Sequence, residues 1–197
     1  MLFFIFSGFV GGMFTLDESM VRVEKLEGYD LFRIKGFGFL TDTGKPMLPA
    51  KVISFVIPPD ARVEDIEIET SGVYVLGKYT PYPAQPPVPI SFPVKRRFVS
   101  PDPEVYEGKK AYPENVVELV HTGNISGYKI VSLRICPLRY VGGKIKVYPE
   151  IRYRIVYREG VITPRKVTKR QREAFGRVVR SLVVNREDVK SFAPPVR

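Results

Sequence analysis

Residues 43–61 read T-G-K-P-M-L-P-A-K-V-I-S-F-V-I-P-P-D-A. Gly44, Pro46, Leu48 and Pro49 form a Gly-x-Pro-x-Leu-Pro turn directly ahead of a nearly continuous apolar run, Val52 to Ile57. Proline fixes φ and has no N–H to give to a ladder, so the stretch up to Pro49 reads as a turn. The run after it reads as a strand buried on both faces. A second turn, Pro58-Pro59-Asp60-Ala61, leads into the next strand. A chain punctuated in this way is built from short strands joined by proline turns.

The same pattern extends outward from this stretch. Upstream, Val21, Val23 and Leu26 open a strand that continues from Tyr29 to Ile34 after the Glu27-Gly28 turn, and Gly36 and Gly38 mark a bend or bulge. Downstream, Val63, Ile66 and Ile68 interleave with Glu64, Asp65, Glu67 and Glu69, as in a strand with one wet face. Short strands follow at 73–76 and 116–120, and 128–138 alternates with Val131, Leu133 and Ile135 on one face. Val141-Gly142-Gly143-Lys144 is a hairpin turn that needs positive φ. Ile145 to Tyr148 comes next, and then Ile151, Tyr153, Ile155 and Tyr157 alternate with Arg152, Arg154, Val156 and Arg158, giving a strand whose outer face is largely basic. Thr168 to Val184 has helical spacing, with Phe175, Val178, Val179 and Leu182 as its apolar stripe and Gly176 as a weak point. Residues 192–197 read as a linker or extended tail. The fold class is therefore mainly β: an antiparallel β-sandwich or barrel-like domain with a long Pro-rich loop and a C-terminal amphipathic helix. The units are 1–14, a signal peptide; 20–160, the β domain; and 161–197, a basic helix and linker.

The Pro-rich loop runs from Tyr79 to Pro113 and holds nine of the eighteen prolines. A loop of this length in a compact domain is usually functional or disordered, and proline lowers the entropy lost when it docks on a partner. The formal net charge is +10, much of it beyond Arg158. That charge suits an acidic partner, a solvated tail or an anionic surface, but no nucleic-acid motif accompanies it. The first fourteen residues, M-L-F-F-I-F-S-G-F-V-G-G-M-F, have the length of an export signal and are too short to span a bilayer as a mature helix. The alternative is a buried first strand. No other segment is long and apolar enough to cross a membrane.

Catalytic chemistry has little to work with. The chain has one cysteine, Cys136, and one histidine, His121. If residues 122–127 form the turn of a simple hairpin, His121 pairs near Tyr128 and the two side chains stand roughly 25 Å apart along the strand, too far for proton transfer. A zinc site needs several His or Cys ligands. The acidic run from Asp60 to Glu69 lacks the EF-hand spacing and reads as a solvated strand face. No dinucleotide or P-loop glycine motif occurs. The sequence thus offers no catalytic, cofactor or metal site. Asn124-Ile125-Ser126 matches a glycosylation sequon.

The order of these motifs resembles the proregion of gingipain-type cysteine peptidases over residues 28–160. The resemblance rests on the Gly44-x-Pro46-x-Leu48-Pro49 turn and its strand, on Pro58-Pro59-Asp60-Ala61 and on Tyr112-Pro113. It also rests on Pro137-Leu138-Arg139-Tyr140 followed by Gly142-Gly143 and the paired strands after them. It implies a secreted, non-catalytic folding assistant that holds a caspase-like peptidase domain latent by laying a loop across its active-site cleft. It also implies that the peptidase, the partner in cis or in trans, follows Arg197. In that setting the Pro-rich loop is the blocking loop, and Arg96, Arg97, Lys109 and Lys110 are the candidates to enter a carboxylate-lined specificity pocket. An extracellular binding module for carbohydrate or a surface protein is the alternative, although the absence of Trp weighs against a sugar platform.

Overall fold

Strands form where residues alternate, and turns form at the glycines and prolines between them. The computed structural model describes residues 7–87 and 97–197. Its elements are β1 (Ser7–Thr15), β2 (Val21–Leu26), β3 (Tyr29–Ile34), β4 (Gly38–Phe39), β5 (Pro49–Ile57), β6 (Arg62–Ser71), β7 (Tyr74–Lys78) and one helical turn, α1 (Pro103–Tyr106). They continue as β8 (Val117–Ile125), β9 (Tyr128–Ile135), β10 (Leu138–Val141), β11 (Lys144–Val147), β12 (Glu150–Arg158) and α2 (Lys169–Leu182). All paired strands are antiparallel, and the architecture is a sandwich, not a closed barrel.

Two sheets face each other, one in the order β4-β5-β9-β8 and the other β1-β12-β6. Phe55, Ile57, Val131, Leu133 and Ile135 from the first sheet meet Ile151, Tyr153, Ile155 and Tyr157 from the second, which are the inward positions expected from the alternation. A second core gathers Phe32, Ile34, Leu48, Leu138, Tyr140 and Ile145 beneath the β2-β3 hairpin and the β10-β11-β7 sheet. The β10–β11 turn has positive φ at Gly142 (53°) and Gly143 (77°), as its sequence requires. The basic outer face of β12 lies against the acidic face of β6: Arg154 pairs with Glu67 at 3.8 Å and Arg158 with Glu64, while Arg152 pairs with Glu150 of its own strand at 3.0 Å.

Residues 7–14 of the segment read as an export signal, together with Thr15, form β1 at the edge of β12; residues 1–6 lie outside the described residues. Gly8 stands opposite Tyr157 and Gly12 opposite Tyr153. A Cβ on Gly8 would come within 2.7 Å of the Tyr157 ring, so the glycines leave room for the tyrosines to lie across the strand. Within the strand Val10 is buried in the core between the sheets, and the other residues are half-buried or exposed.

The β5 run is buried on both faces only from Phe55 to Ile57, and Val52 is 58% exposed. The reason is the placement of the third core, where Val179, Val183 and Val189 cover Val56, Tyr128 and Ile130. Helix α2 starts in a capping box, with Thr168 Oγ1 accepting from the Gln171 N–H and Gln171 Oε1 accepting from the Thr168 N–H. Its contact line differs from the expected stripe: Phe175, Val178 and Leu182 are exposed, and the helix approaches the sheet through Gly176 and Val179. A Cβ on Gly176 would lie 2.7 Å from Tyr128 Oη, so the glycine allows the close approach and turns the stripe aside.

The tail is docked on the sandwich. Asn185 Oδ1 accepts from the Val56 N–H (3.0 Å), Nδ2 donates to the Val56 carbonyl (2.8 Å), and the Val184 N–H donates to the Ser54 carbonyl (2.9 Å). These bonds cover the part of the β5 edge that β4 leaves open. Phe192 packs edge-on to Tyr157, and Val167 exchanges backbone bonds with Pro195 and Arg197.

Candidate functional site at the base of the proline-rich loop

The Gly-x-Pro-x-Leu-Pro turn holds the loop. Gly44 has φ +80°, a conformation that glycine adopts without a Cβ penalty. Its N–H donates to the Ala84 carbonyl on the outgoing limb (2.8 Å), and its carbonyl accepts from the Asp102 N–H on the returning limb (2.9 Å). Lys45 accepts from Ala84, and the Met47 N–H donates to Tyr82 (both 2.8 Å). Leu48 is fully buried in the second core and fixes the turn from below.

Above this base the limbs are clamped together. Gln85 Nε2 donates to the carbonyls of Pro83 and Val99 (each 2.9 Å), and its Oε1 accepts from the Val99 N–H (2.8 Å). Tyr29 and Phe98 stack at 5.8 Å, with Tyr82 edge-on to both. The outgoing limb is tied further by the Asp30–Thr80 and Tyr82–Asp30 backbone bonds (2.8 and 2.9 Å) and by Asp30 Oδ2 accepting from the Thr80 N–H (2.9 Å). The two limbs, up to Gln85 and from Phe98 onward, are thus fixed to each other and to the sandwich.

Arg97 lies exposed next to the anchored Phe98, in no ion pair among the described residues; Arg96 lies outside the described residues. Sequence reasoning missed Gln85, Tyr29, Tyr82 and Phe98. The only signal for them was the aromatic content of the loop's flanks.

A family model for the C25 peptidase propeptide, Propeptide_C25, matches residues 18–193. The chain belongs to the Propeptide_C25 family. Its structure is similar to a chain from the complex of the RgpB pro- and mature domains of Porphyromonas gingivalis, with a TM-score of 0.71 and 13% identity over 90% of this chain and 93% of that one. A structure addressing the zymogenic latency of gingipain K from the same organism aligns at TM-score 0.47 and 20% identity, covering 74% of this chain and 98% of that one. No curated protein matches the chain.

In this Propeptide_C25 chain, Lys109 and Lys110 lie exposed on the turn after α1, on a different segment from Arg97, and no hydrogen bond or ion pair joins them to it. The helix before them is pinned: Tyr106 Oη donates to the Pro81 carbonyl (2.7 Å), and Tyr140 Oη donates to the Tyr106 carbonyl (3.2 Å). Burial, with the neighbouring Tyr140 and Tyr29, holds the Tyr106 phenol well above its ordinary range. Beyond the lysines, Tyr112 and Tyr140 exchange backbone bonds (2.8 and 2.7 Å), and Arg139 donates to the carbonyls of Pro113 (2.9 Å) and Glu114. The Tyr112-Pro113 and Pro137–Tyr140 motifs of the sequence therefore meet in space and fix where the loop rejoins the sandwich.

Cys136 and His121 are arranged differently from the sequence expectation. The β8–β9 ladder runs up to Ile125 opposite Tyr128, so His121 faces Ser132. Cys136 then stands four residues further on, about 13 Å away at the usual strand rise. Burial pushes its thiol up to about 12 despite nearby Arg134, which opposes the shift, whereas a nucleophilic cysteine needs a depressed value. Among the described residues no three His, Cys, Asp or Glu side chains gather as a metal site, and no helix is long and apolar enough to cross a membrane.

Proposed function

We propose that this chain is the proregion of a secreted gingipain-like cysteine peptidase, that it assists folding of the catalytic domain, and that it holds that domain latent. The observation that carries the reading is the clamp at Gln85 and Gly44, which ties the two flanks of the proline-rich loop together. A loop restrained at both ends loses little entropy on entering a cleft, the economy an inhibitory segment needs. The chain supplies no catalytic group in this proposal; the nucleophile and its base belong to the peptidase domain, in cis or in trans. Export directed by residues 1–14 places both outside the cytoplasm.

Arg96 and Arg97, which precede the anchored Phe98 in sequence, are the first candidates to fill a carboxylate-lined specificity pocket; Lys109 and Lys110 are the second pair. The aromatic side chains at the neck, Tyr29, Tyr82 and Phe98, pack on one another, which leaves less ring surface for a sugar than an open platform would. The test is titration of the peptidase domain of the same precursor with the purified chain. Stoichiometric inhibition is expected, weakened sharply by replacing Arg96 and Arg97 together with alanine. Unchanged inhibition by that variant rejects the arginine assignment and moves it to Lys109 and Lys110. Absence of inhibition by the unsubstituted chain rejects latency.

A further inference from the structure

A groove of about 730 Å³ lies between α2 and the 3-10 turn Arg186–Val189, away from the loop just described: it sits on the third core, whereas the loop rises from the second. Arg172, Arg177 and Arg180 line it from the helix, and Arg186 and Lys190 from the facing turn. None of these five cations forms an ion pair among the described residues. On β12, by contrast, Arg152, Arg154 and Arg158 each have a carboxylate partner. The cations on the outer face of β12 are paired, and those of the groove, among the described residues, are not. Converging like charges raise the energy of the free protein, and an incoming anion relieves that repulsion.

The remaining lining narrows the ligand class. Glu173 and Glu187 also border the groove, so its positive charge is partial and an anion gains most where it also has apolar surface to bury. Val189 and Ala193, with Gly176 and the Tyr128 ring, provide an uncharged floor. An acidic peptide fits this combination: its carboxylates reach the arginine forks while its apolar side chains lie on the floor. The volume falls in the range of ordinary ligand clefts.

We infer that the groove between α2 and the 3-10 turn is a docking site for an acidic peptide segment of a partner protein, separate from the proline-rich loop. Its walls are rigid. Asn185, just ahead of the turn, is locked to Val56 by two hydrogen bonds and to Asp188 by a third, and Tyr128 Oη donates to the Arg172 carbonyl on the helix (3.0 Å). The site is therefore formed before any ligand arrives.

The probe is a fluorescein-labelled six-residue peptide alternating glutamate with leucine, followed by anisotropy at low ionic strength on the full chain. Two double variants, Arg177→Gln with Arg180→Gln and Arg186→Gln with Lys190→Gln, remove one wall's charges each while keeping the helix formers. Each is expected to weaken binding about tenfold, the sum of two exposed charge pairs. Arg152→Gln with Arg154→Gln lowers the net charge equally and is expected to leave binding unchanged. Equal losses in all three variants, or no loss in the groove variants, overturn the site in favour of diffuse attraction to a basic chain. Displacement of the peptide by equimolar pyrophosphate overturns the peptide in favour of a phosphate ligand. Because the readout is binding and not peptidase inhibition, failure here and failure of the latency proposal are separate results.

Discussion

The clamp at Gln85 allows the loop to be loosened without unfolding the sandwich. Gln85→Ala removes three hydrogen bonds, two to carbonyls and one from the Val99 N–H. Each is worth about 1 kcal/mol net, and the neck is only half-buried, so water replaces part of what is lost and the set comes to about 2 kcal/mol. That cost falls on local opening rather than on the global transition. The Val99 amide should exchange about thirtyfold faster, while the melting temperature stays within about 2 °C. If the blocking loop depends on this preorganisation, the inhibition constant against the peptidase domain rises by up to about thirtyfold. Gln85→Glu, which sets a carboxylate against two carbonyl oxygens, should behave similarly. Faster Val99 exchange with unchanged inhibition would refute the assignment of residues 86–98 as the inhibitory segment. Unchanged exchange would refute the clamp itself.

Further outcomes follow from other contacts. Asn185→Ala strands the buried N–H and carbonyl of Val56, and should cost about 3 kcal/mol and lower the melting temperature by roughly 6–12 °C in a calorimetric scan. Gly44→Ala and Gly28→Ala each force a side chain into φ near +80° and should cost about 1 kcal/mol alike; only Gly44→Ala should weaken inhibition, since only Gly44 bonds both loop limbs. Burial raises Cys136 above its ordinary 9.0 and Tyr106, Tyr112, Tyr153 and Tyr157 above 10.0. Their stabilising contribution is therefore complete below those values and is lost as pH climbs through the folded-state ones, while Lys129, lowered by burial, opposes this weakly. Urea midpoints should hold to about pH 9 and fall above it. If residues 1–14 direct export as proposed, the mass of the chain recovered outside the cytoplasm should show them removed, which bares the edge of β12; an intact N-terminus would refute the signal and make β1 a permanent strand.

What was legible in the sequence was local. The two glycines at 142–143 specified their hairpin because positive φ is a property of single residues, and the alternation in β12 assigned core and solvent faces because a strand has period two. Helix α2 was located correctly, but its buried face was not, since that depended on Tyr128, a residue on another strand, approaching Gly176. His121 was displaced in register because the ladder continued almost to Ser126-Gly127 instead of stopping at Thr122. Gln85 and Val99 are fourteen positions apart, and nothing in either neighbourhood points to the other. The groove draws its cations from a helix and from the turn beyond it, and a list of basic residues does not show whether each has a partner.

The signature turn and the loop are one device, which explains why the family resemblance is concentrated at residues 44–49. Those residues make no strand of their own beyond the start of β5, and a proline turn alone needs no particular glycine ahead of it. Gly44 is required because its backbone donates to Ala84 and accepts from Asp102 at φ +80°, a conformation that strains any residue with a Cβ; the space itself would admit one, with Ser100 O at 3.6 Å and Val99 Cγ1 at 3.8 Å. Pro46 bridges to Pro83, and Leu48 anchors the turn in the second core. A substitution in the turn therefore acts on both limbs at once, whereas one beyond Gln85 leaves the base of the loop intact.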